Sequence, residues 1–307
     1  MKPKIIFMGT PLFATSVLQK LISNYDVVLV VCQPDKLVGR KKILTPCPVK
    51  EIALQNNIPV FQPNRLRDDY TSVTDLNADL IVTCAYGQIV PKEVLANPKY
   101  GCINVHASLL PKYRGAAPIQ QALIDGEETT GITIMYMDET LDTGDIISTK
   151  EINIDKEDNL ESLSNKLSTL GADLLIDTIP SILNSTNNRI KQDDEKSSYA
   201  HMINREDELI DFNDKGNNII NKIRGIYPNA SFKIDGLEIK VLKARFEEEK
   251  TDGLGIIKVL DKNNFGITCS NGIIYLEKIK PSGKNAMLIK DYLNGLNKEK
   301  YLNKRVD

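Results

Sequence analysis

The sequence predicts two domains: a mostly parallel α/β sheet covered by helices, followed by a small β-barrel. The chain has 307 residues, which is longer than the roughly 100–200 residues of most single domains. Short apolar runs alternate with helix-like patterns through about the first 180 residues. Beyond residue 210 the pattern changes to strand-like runs separated by glycine and Asn-Gly turns.

The first part of the chain alternates strands with helices. Short apolar runs predict buried strands at residues 5–8, 27–31, 80–84, 103–105 and 131–137. Apolar residues at helical spacing predict helices at residues 14–23, 49–55, 117–124 and 159–175. Asp158 or Asn159 is the expected cap of the last helix. Because such alternation places helices on both faces, the sheet should be mostly parallel.

The last third has a different character. Residues 184–206 are largely polar and read as a linker. Strand-like runs follow at residues 230–234, 237–244, 255–260, 266–269 and 272–279. Helices are expected at residues 217–223 and 288–302.

Composition narrows the class of protein. The net charge is -2, although the part from residue 207 onward carries a net +3, which suits weak contact with a polyanion or simply a solvated surface. Five scattered cysteines without a C-x-x-C pair indicate free thiols in a reducing compartment. With two histidines in the chain, a zinc site is not expected. No apolar run approaches the roughly 20 residues of a membrane span, so a cytoplasmic protein is expected.

The turn after the first strand carries no standard phosphate-binding pattern. It reads Gly9-Thr10-Pro11-Leu12-Phe13, whereas a dinucleotide site needs G-x-G-x-x-G so that the backbone can approach pyrophosphate. The G-x-x-x-x-G-K-[ST] loop is also missing from the sequence. Neither common nucleotide cradle is therefore predicted.

Candidate catalytic groups follow the strand predicted at residues 103–105. Asn104 and His106 are two residues apart and should point to the same side of the sheet. An amide can donate to a developing oxyanion, and an imidazole can exchange a proton near neutral pH. Both are also common as structural residues. The acidic stretch from Asp138 to Asp145 is either a solvated turn or a source of a catalytic carboxylate, and Asp142 could reach the histidine.

Three separated elements resemble the signature of the folate-dependent formyltransferases: Asn104-Val105-His106, Ser108-Leu109-Leu110-Pro111 and Leu141-Asp142-Thr143-Gly144-Asp145. The N-terminal Gly9-Thr10-Pro11-Leu12-Phe13-Ala14 and the segment at residues 33–50 resemble the branch of that family that formylates methionyl-tRNA. The resemblance covers nearly the whole chain. It implies a Rossmann-like formyltransferase domain over residues 1–183, a linker over 184–206 and an OB-like β-barrel over 207–307 that positions tRNA.

The resemblance also implies roles for particular residues. The donor would be 10-formyltetrahydrofolate, with Asn104 binding the formyl oxygen, His106 handling protons and Asp142 supporting His106. Folate would lie against Ser108, Leu109, Leu110 and Pro111. Initiator methionyl-tRNA would contact Arg40, Lys41 and Lys42, in a segment where Leu37-Val38 departs from the family's usual pattern, as Pro228-Asn229 does further on. A monomeric enzyme without a metal is expected. The open alternatives are a different amine acceptor and an RNA-binding protein without activity.

Overall fold

The computed structural model describes residues 2–39 and 41–307, and these residues form two compact units. The first unit comprises the described residues up to Pro118, together with Thr129–Asn153 and Ser164–Ala200. The second unit comprises Ile119–Glu128, Ile154–Leu163 and His201–Asp307. Each unit is built around a β-sheet of its own.

The secondary-structure elements follow the predicted alternation. Up to Ala200 they are, in chain order, β1 (Lys4–Gly9), α1 (Thr15–Asn24), β2 (Asp26–Val31), β3 (Lys36–Val38), β4 (Ile43–Thr45), α2 (Pro48–Gln55), β5 (Val60–Phe61), α3 (Thr71–Thr74), β6 (Leu80–Cys84), α4 (Lys92–Leu95), β7 (Cys102–His106), β8 (Arg114–Gly115), α5 (Pro118–Ile124), β9 (Thr129–Tyr136), β10 (Ile146–Asn153), α6 (Leu160–Leu183) and β11 (Tyr199–Ala200). Short 3-10 turns lie at Leu12–Ala14, Leu66–Asp68 and Asp194–Lys196. After Ala200 come α7 (Gly216–Gly225), β12 (Ser231–Ile234), β13 (Leu237–Glu248), β14 (Ile257–Leu260), β15 (Phe265–Cys269), β16 (Gly272–Pro281), β17 (Met287–Leu288), α8 (Ile289–Leu293) and α9 (Lys298–Tyr301).

The sheet of the first unit has seven strands in the order β10-β9-β7-β6-β1-β2-β5. The five strands from β7 to β5 are parallel to one another, whereas β9 runs antiparallel to β7 and β10 antiparallel to β9. The carboxyl ends of the parallel strands therefore lie at one edge, which is where open α/β sheets bind ligands.

Both faces of this sheet are covered. Ile6 and Met8 of β1 belong to one buried cluster with Val73 and Val94 from α3 and α4. The alternate residues of β1 are buried as well, although successive side chains in a strand point to opposite faces. A strand buried on both sides needs a continuous apolar run, and this explains why the apolar runs in the sequence marked the central strands so closely.

The N-terminus of α6 is capped as the sequence predicts. Asn159 Oδ1 accepts hydrogen bonds from the backbone N–H groups of Glu161 and Ser162, each at 3.0 Å. This satisfies two of the donors that a helix N-terminus leaves without an intrahelical partner.

The second unit contains an antiparallel sheet with strand order β12-β13-β16-β15-β14, to which β17 adds beside β16. The C-terminal tail closes it. Lys233 of β12 exchanges two backbone hydrogen bonds with Asp307 (2.8 and 2.9 Å), and Ile257 of β14 exchanges two with Asn303 and Lys304 (both 2.9 Å). The two edge strands are thus joined through one tail, and the buried side chain of Val306 belongs to the core of this unit. The predicted fold class, a mostly parallel α/β domain followed by a small β-barrel domain, is confirmed.

Two local features differ from the sequence prediction. The single helix expected at residues 288–302 is instead two short helices, α8 and α9, because Asn294, Gly295 and Asn297 favour a break over helix continuation. Lys36–Val38 and Ile43–Thr45 pair as the antiparallel hairpin β3–β4. Of the described helices, none has the length and apolar character that crossing a membrane would require.

Candidate active site

Strand β7 carries Asn104 and His106 to the carboxyl-end edge of the parallel sheet. His106 is 5% exposed, and Asn104 is half-buried. The structure therefore places the predicted amide and imidazole on one strand, two residues apart, beside the carboxyl end of β6.

The amide of Asn104 is oriented by a buried threonine. Thr83 lies opposite Asn104 in the β6–β7 pairing, and its hydroxyl donates to Asn104 Oδ1 at 2.9 Å. With Oδ1 as the acceptor in this contact, Nδ2 is the group of the amide that can donate. An amide in this orientation is ready to donate to an oxygen that gains negative charge.

A main-chain carbonyl fixes the tautomer of His106. Its Nε2 lies 2.9 Å from the oxygen of Tyr113, and a carbonyl can only accept a hydrogen bond. The hydrogen must therefore be on Nε2, which leaves Nδ1 as the ring nitrogen that gains or loses a proton. Tyr113 has a φ of 61°, a conformation uncommon for residues other than glycine, and its N–H is fixed by Ser198 Oγ at 2.9 Å.

Asp142 faces the free ring nitrogen. Its Oδ2 is 3.7 Å from His106 Nδ1, and the Asp142 side chain is 14% exposed. The same oxygen accepts a hydrogen bond from the backbone N–H of Gly115 at 2.8 Å. Gly115 has a φ of 116°, and a Cβ there would lie 2.7 Å from the oxygen of Ala200. Only glycine fits this position, which aims its N–H at the carboxylate. The predicted proximity of His106 and Asp142 is thus present in the structure.

The loop that follows β7 is shaped mainly by hydrogen bonds within the protein. The Ser108 hydroxyl donates to the oxygen of Lys112 at 2.6 Å, and the Leu110 N–H donates to Thr133 Oγ1 at 3.1 Å. Ser108 and Leu110 are buried. Their side chains therefore build the loop, whereas the side chains of Leu109 and Pro111 are partly exposed. The folate-binding role of Ser108–Pro111 stays a prediction.

The basic segment lies between β2 and α2. Lys41 and Lys42 are exposed, whereas Arg40 lies outside the described residues. Below the hairpin, Lys50 Nζ is 2.7 Å from Asp35 Oδ2 and 2.7 Å from Gln62 Oε1. Two hydrogen bonds lower the pKa of Asp35: the larger effect comes from Lys50 and the smaller from Gln62. The network ties one end of the segment to helix α2.

Four exposed apolar side chains line the hairpin: Leu37, Val38, Ile43 and Leu44. Soluble surfaces rarely expose contiguous apolar groups without a binding role. Leu37 pairs with Leu44 and Val38 with Ile43 across the hairpin. The tRNA-contacting role of Arg40, Lys41 and Lys42 stays a prediction.

Sequence reasoning missed Thr83, Tyr113 and Gly115. Thr83 left a signal, because it is a polar residue near the end of an otherwise apolar strand. The contributions of Tyr113 and Gly115 come from main-chain groups, and a side-chain pattern does not reveal these. Within the described residues, no group of three or more His, Cys, Asp or Glu side chains is arranged to hold a metal ion.

Comparison with known proteins identifies the family. The Formyl transferase family matches residues 2–179, and the family described as Formyl transferase, C-terminal domain matches residues 202–297. The fold and the site therefore define an enzyme of the formyl transferase class. The methionyl-tRNA formyltransferase of a Staphylococcus epidermidis strain is 49% identical over 298 residues, covering 95% of this chain and 96% of the relative. That of Staphylococcus aureus strain MW2 is 48% identical with the same coverage. The chain belongs to the methionyl-tRNA formyltransferase family.

Solved structures share the fold. WlaRD, a sugar 3N-formyl transferase solved with dTDP and 5-N-formyl-THF, has a TM-score of 0.67 at 23% identity and covers 93% of this chain and 100% of its own. The N-formyltransferase from Helicobacter canadensis, in complex with folinic acid and dTDP-3-aminofucose, has a TM-score of 0.68 at 22% identity. The match covers 90% of this chain and 99% of that one. HypX from Aquifex aeolicus, in complex with tetrahydrofolic acid, has a TM-score of 0.63 at 16% identity. The match covers 96% of this chain and 47% of HypX.

The Thr83 contact predicts a loss of turnover when its donor is removed. Thr83→Val keeps the shape of the side chain but removes the hydroxyl that holds the Asn104 amide, which is then free to rotate. We expect kcat for formyl transfer to fall about fivefold, because one hydrogen bond is worth about 1 kcal/mol and 1.36 kcal/mol is tenfold in rate. Thr83→Ser retains the hydroxyl and serves as the control. Equal turnover by the valine and serine variants would show that Thr83 does not orient Asn104.

Proposed function

We propose that this chain transfers a formyl group from 10-formyltetrahydrofolate to the amino group of methionine on initiator methionyl-tRNA, giving N-formylmethionyl-tRNA. The observation that carries the proposal is the placement of Asn104, His106 and Asp142 at one strand end, in a chain 48–50% identical to curated methionyl-tRNA formyltransferases over 95% of its length.

The three side chains suit the two halves of an acyl transfer. The amine nitrogen attacks the formyl carbon, a C–N bond forms, and the carbonyl oxygen becomes an oxyanion. Asn104 Nδ2 donates to that oxygen, which is where such donors act most strongly. The attacking nitrogen loses its proton to His106 at Nδ1, directly or through water.

The second half reverses the proton movement. The tetrahedral species collapses, the bond between the formyl carbon and the folate nitrogen breaks, and that nitrogen receives a proton as it leaves. Asp142, 3.7 Å from Nδ1, stabilises the imidazolium that exists between the two transfers. Atoms and charges balance without a metal or redox step.

Folate is proposed to lie along Ser108–Pro111. The partly exposed side chains of Leu109 and Pro111 offer apolar contact to a planar ring. The buried groups of Ser108 and Leu110 keep the loop in one shape, so that ordering it costs little free energy on binding.

The acceptor end of tRNA is proposed to contact the hairpin at residues 36–45. Cationic side chains at its tip suit phosphate contacts, and the exposed apolar residues suit unpaired bases. The part of the chain from residue 207 onward, which carries a net +3, would position the rest of the tRNA. We also propose a cytoplasmic monomer, since its acceptor is used in translation and all three catalytic groups come from one chain.

The proposal is tested by the choice of acceptor. Purified enzyme and 10-formyltetrahydrofolate are mixed with charged initiator tRNA, uncharged tRNA, elongator methionyl-tRNA or an amino-sugar nucleotide. We expect product with charged initiator tRNA at the highest kcat/KM. Preference for the sugar nucleotide would overturn the proposed acceptor but keep the chemistry, whereas no transfer with any acceptor would overturn the activity itself.

Replacing the imidazole should remove most of the catalytic rate. His106→Ala is expected to lower kcat about 10²–10⁴-fold, the usual contribution of a general acid–base group, with a far-ultraviolet circular dichroism spectrum like that of the wild type. His201→Ala is the control, because His201 is exposed in the polar segment that precedes α7. Comparable turnover by the two variants would remove His106 from the mechanism.

Neutralising the hairpin lysines should change how tRNA binding depends on salt. Lys41→Ala/Lys42→Ala is expected to make the slope of log K against log salt concentration shallower by about 1.5, because each phosphate contact contributes roughly 0.7–0.9. Fluorescence anisotropy with labelled tRNA measures the slope. Lys92→Ala/Lys99→Ala removes the same charge from exposed positions elsewhere in the first unit and is the control. An equal change in both variants would argue against a specific contact at the hairpin.

A further inference from the structure

The polar segment that precedes β11 is tied to the candidate active site. We call residues 190–200 the strap. Ile190 forms an antiparallel bridge with Ile146, the first residue of β10. At the other end of the strap, β11 pairs with β8. Between these two points the strap runs beside the turn that contains Asp142, although its sequence is polar and without helical or strand periodicity.

Gln192, near the start of the strap, uses its NH₂ group on that turn and its oxygen on Arg114. Its Nε2 donates to the backbone oxygens of Asp142 at 2.8 Å and Gly144 at 2.9 Å. Its Oε1 accepts from Arg114 Nε at 3.0 Å and Nη2 at 2.9 Å. A carboxamide has two N–H donors and two acceptor lone pairs, and all four are used here.

The turn held by Gln192 has a backbone that needs support. Asp142 has a φ of 53°, a conformation that residues other than glycine seldom adopt. A Cβ on Gly144 would lie 1.9 Å from the oxygen of Tyr136, so the turn is packed closely against β9. Gln192 fixes the carbonyl on each side of Thr143, and the Asp142 carboxylate is fixed separately by the N–H of Gly115.

The other end of the contact is firmly anchored. Arg114 is 2% exposed, and its Nη2 is 2.7 Å from Asp194 Oδ1 of the strap. A buried guanidinium needs such partners because burying an unpaired charge is costly. Arg114 therefore presents a fixed pair of N–H groups, and these set the orientation of the Gln192 amide so that its NH₂ points at the turn.

We propose that Gln192 is a positioning residue for the formyl-transfer reaction: its carboxamide, oriented by Arg114, holds the backbone of Asp142 so that the carboxylate faces His106 Nδ1. Gln192 acts through Asp142 and does not itself touch the reacting atoms. This inference rests on the proposed function.

A double-mutant cycle on turnover tests this role. Gln192→Ala should lower kcat about 10–100-fold, since misplacing a catalytic group by about 1 Å can cost 10²-fold, while KM for both substrates stays within about twofold. In an Asp142→Ala background the same change should alter kcat by less than about twofold, because nothing is left to position. Equal losses in both backgrounds, or a loss seen only in KM, would overturn the proposal.

Two further variants separate positioning from stability. Gln192→Glu keeps the size and the contact with Arg114 but turns a carboxylate toward two carbonyls, so it should lose as much kcat as the alanine variant. If Gln192→Ala does not fold, the cycle is run with Gln192→Glu, and wild-type kcat in that variant sinks the idea. Asn97→Ala removes another amide-to-carbonyl bond of the first unit, from Asn97 Nδ2 to the oxygen of Thr74 at 3.2 Å. It should lower the melting temperature and leave kcat unchanged.

The cycle also distinguishes failure of this inference from failure of the proposed function. Wild-type enzyme is first measured with charged initiator tRNA. If it is inactive, the proposed acceptor has failed, and the cycle is repeated with whichever amine acceptor supports turnover. If wild type is active and Gln192→Ala is equally active, the function stands and the positioning role fails.

Discussion

A hydrogen bond from His106 Nε2 to the carbonyl of Tyr113 determines how the rest of the site works. Because the carbonyl accepts at 2.9 Å, the hydrogen stays on Nε2, and Nδ1 is the nitrogen to which the proposed mechanism assigns proton exchange. That nitrogen faces Asp142, so a proton taken up there lies beside a negative charge. The loop from Ser108 to Gly115 serves this arrangement twice: it turns the Tyr113 carbonyl toward the ring and aims the Gly115 N–H at the carboxylate.

The position of this loop follows from the change of strand direction in the sheet. β7 is the last of the parallel strands, and β9 runs antiparallel beside it. Thr133 of β9 is therefore the neighbour of His106, and its hydroxyl donates to the oxygen of Ser108 at 2.7 Å and accepts from the N–H of Leu110. The antiparallel strand β9 thus lies beside the loop at the carboxyl-end edge and binds it through Thr133. A parallel neighbour would have required a crossover connection, usually a helix.

The fold was predictable because strands buried on both faces leave continuous apolar runs, and helices covering them leave apolar residues at helical spacing. Elements without such patterns were missed. The strands β3 and β4 are exposed on both sides, and β8 and β11 have two residues each, too few to show a period. The break between α8 and α9 was also missed, although Gly295 marks it, since local propensity is a weak guide beside an apolar pattern that continues.

For the candidate site, the sequence by itself determined the identity of the chemical groups: an amide and an imidazole two residues apart on a strand, and a carboxylate in a later turn. Their order and spacing sufficed for the family resemblance. Only the tertiary structure decided which ring nitrogen is available, which way the Asn104 amide points, and that Gln192 reaches the turn of Asp142. These features depend on contacts of Thr83, Tyr113 and Gly115, and on Gln192 of the strap, 50 residues beyond Asp142 in the chain. Contacts between main-chain groups and distant polar residues leave no periodic pattern, because they depend on where the folded backbone brings a carbonyl or an N–H.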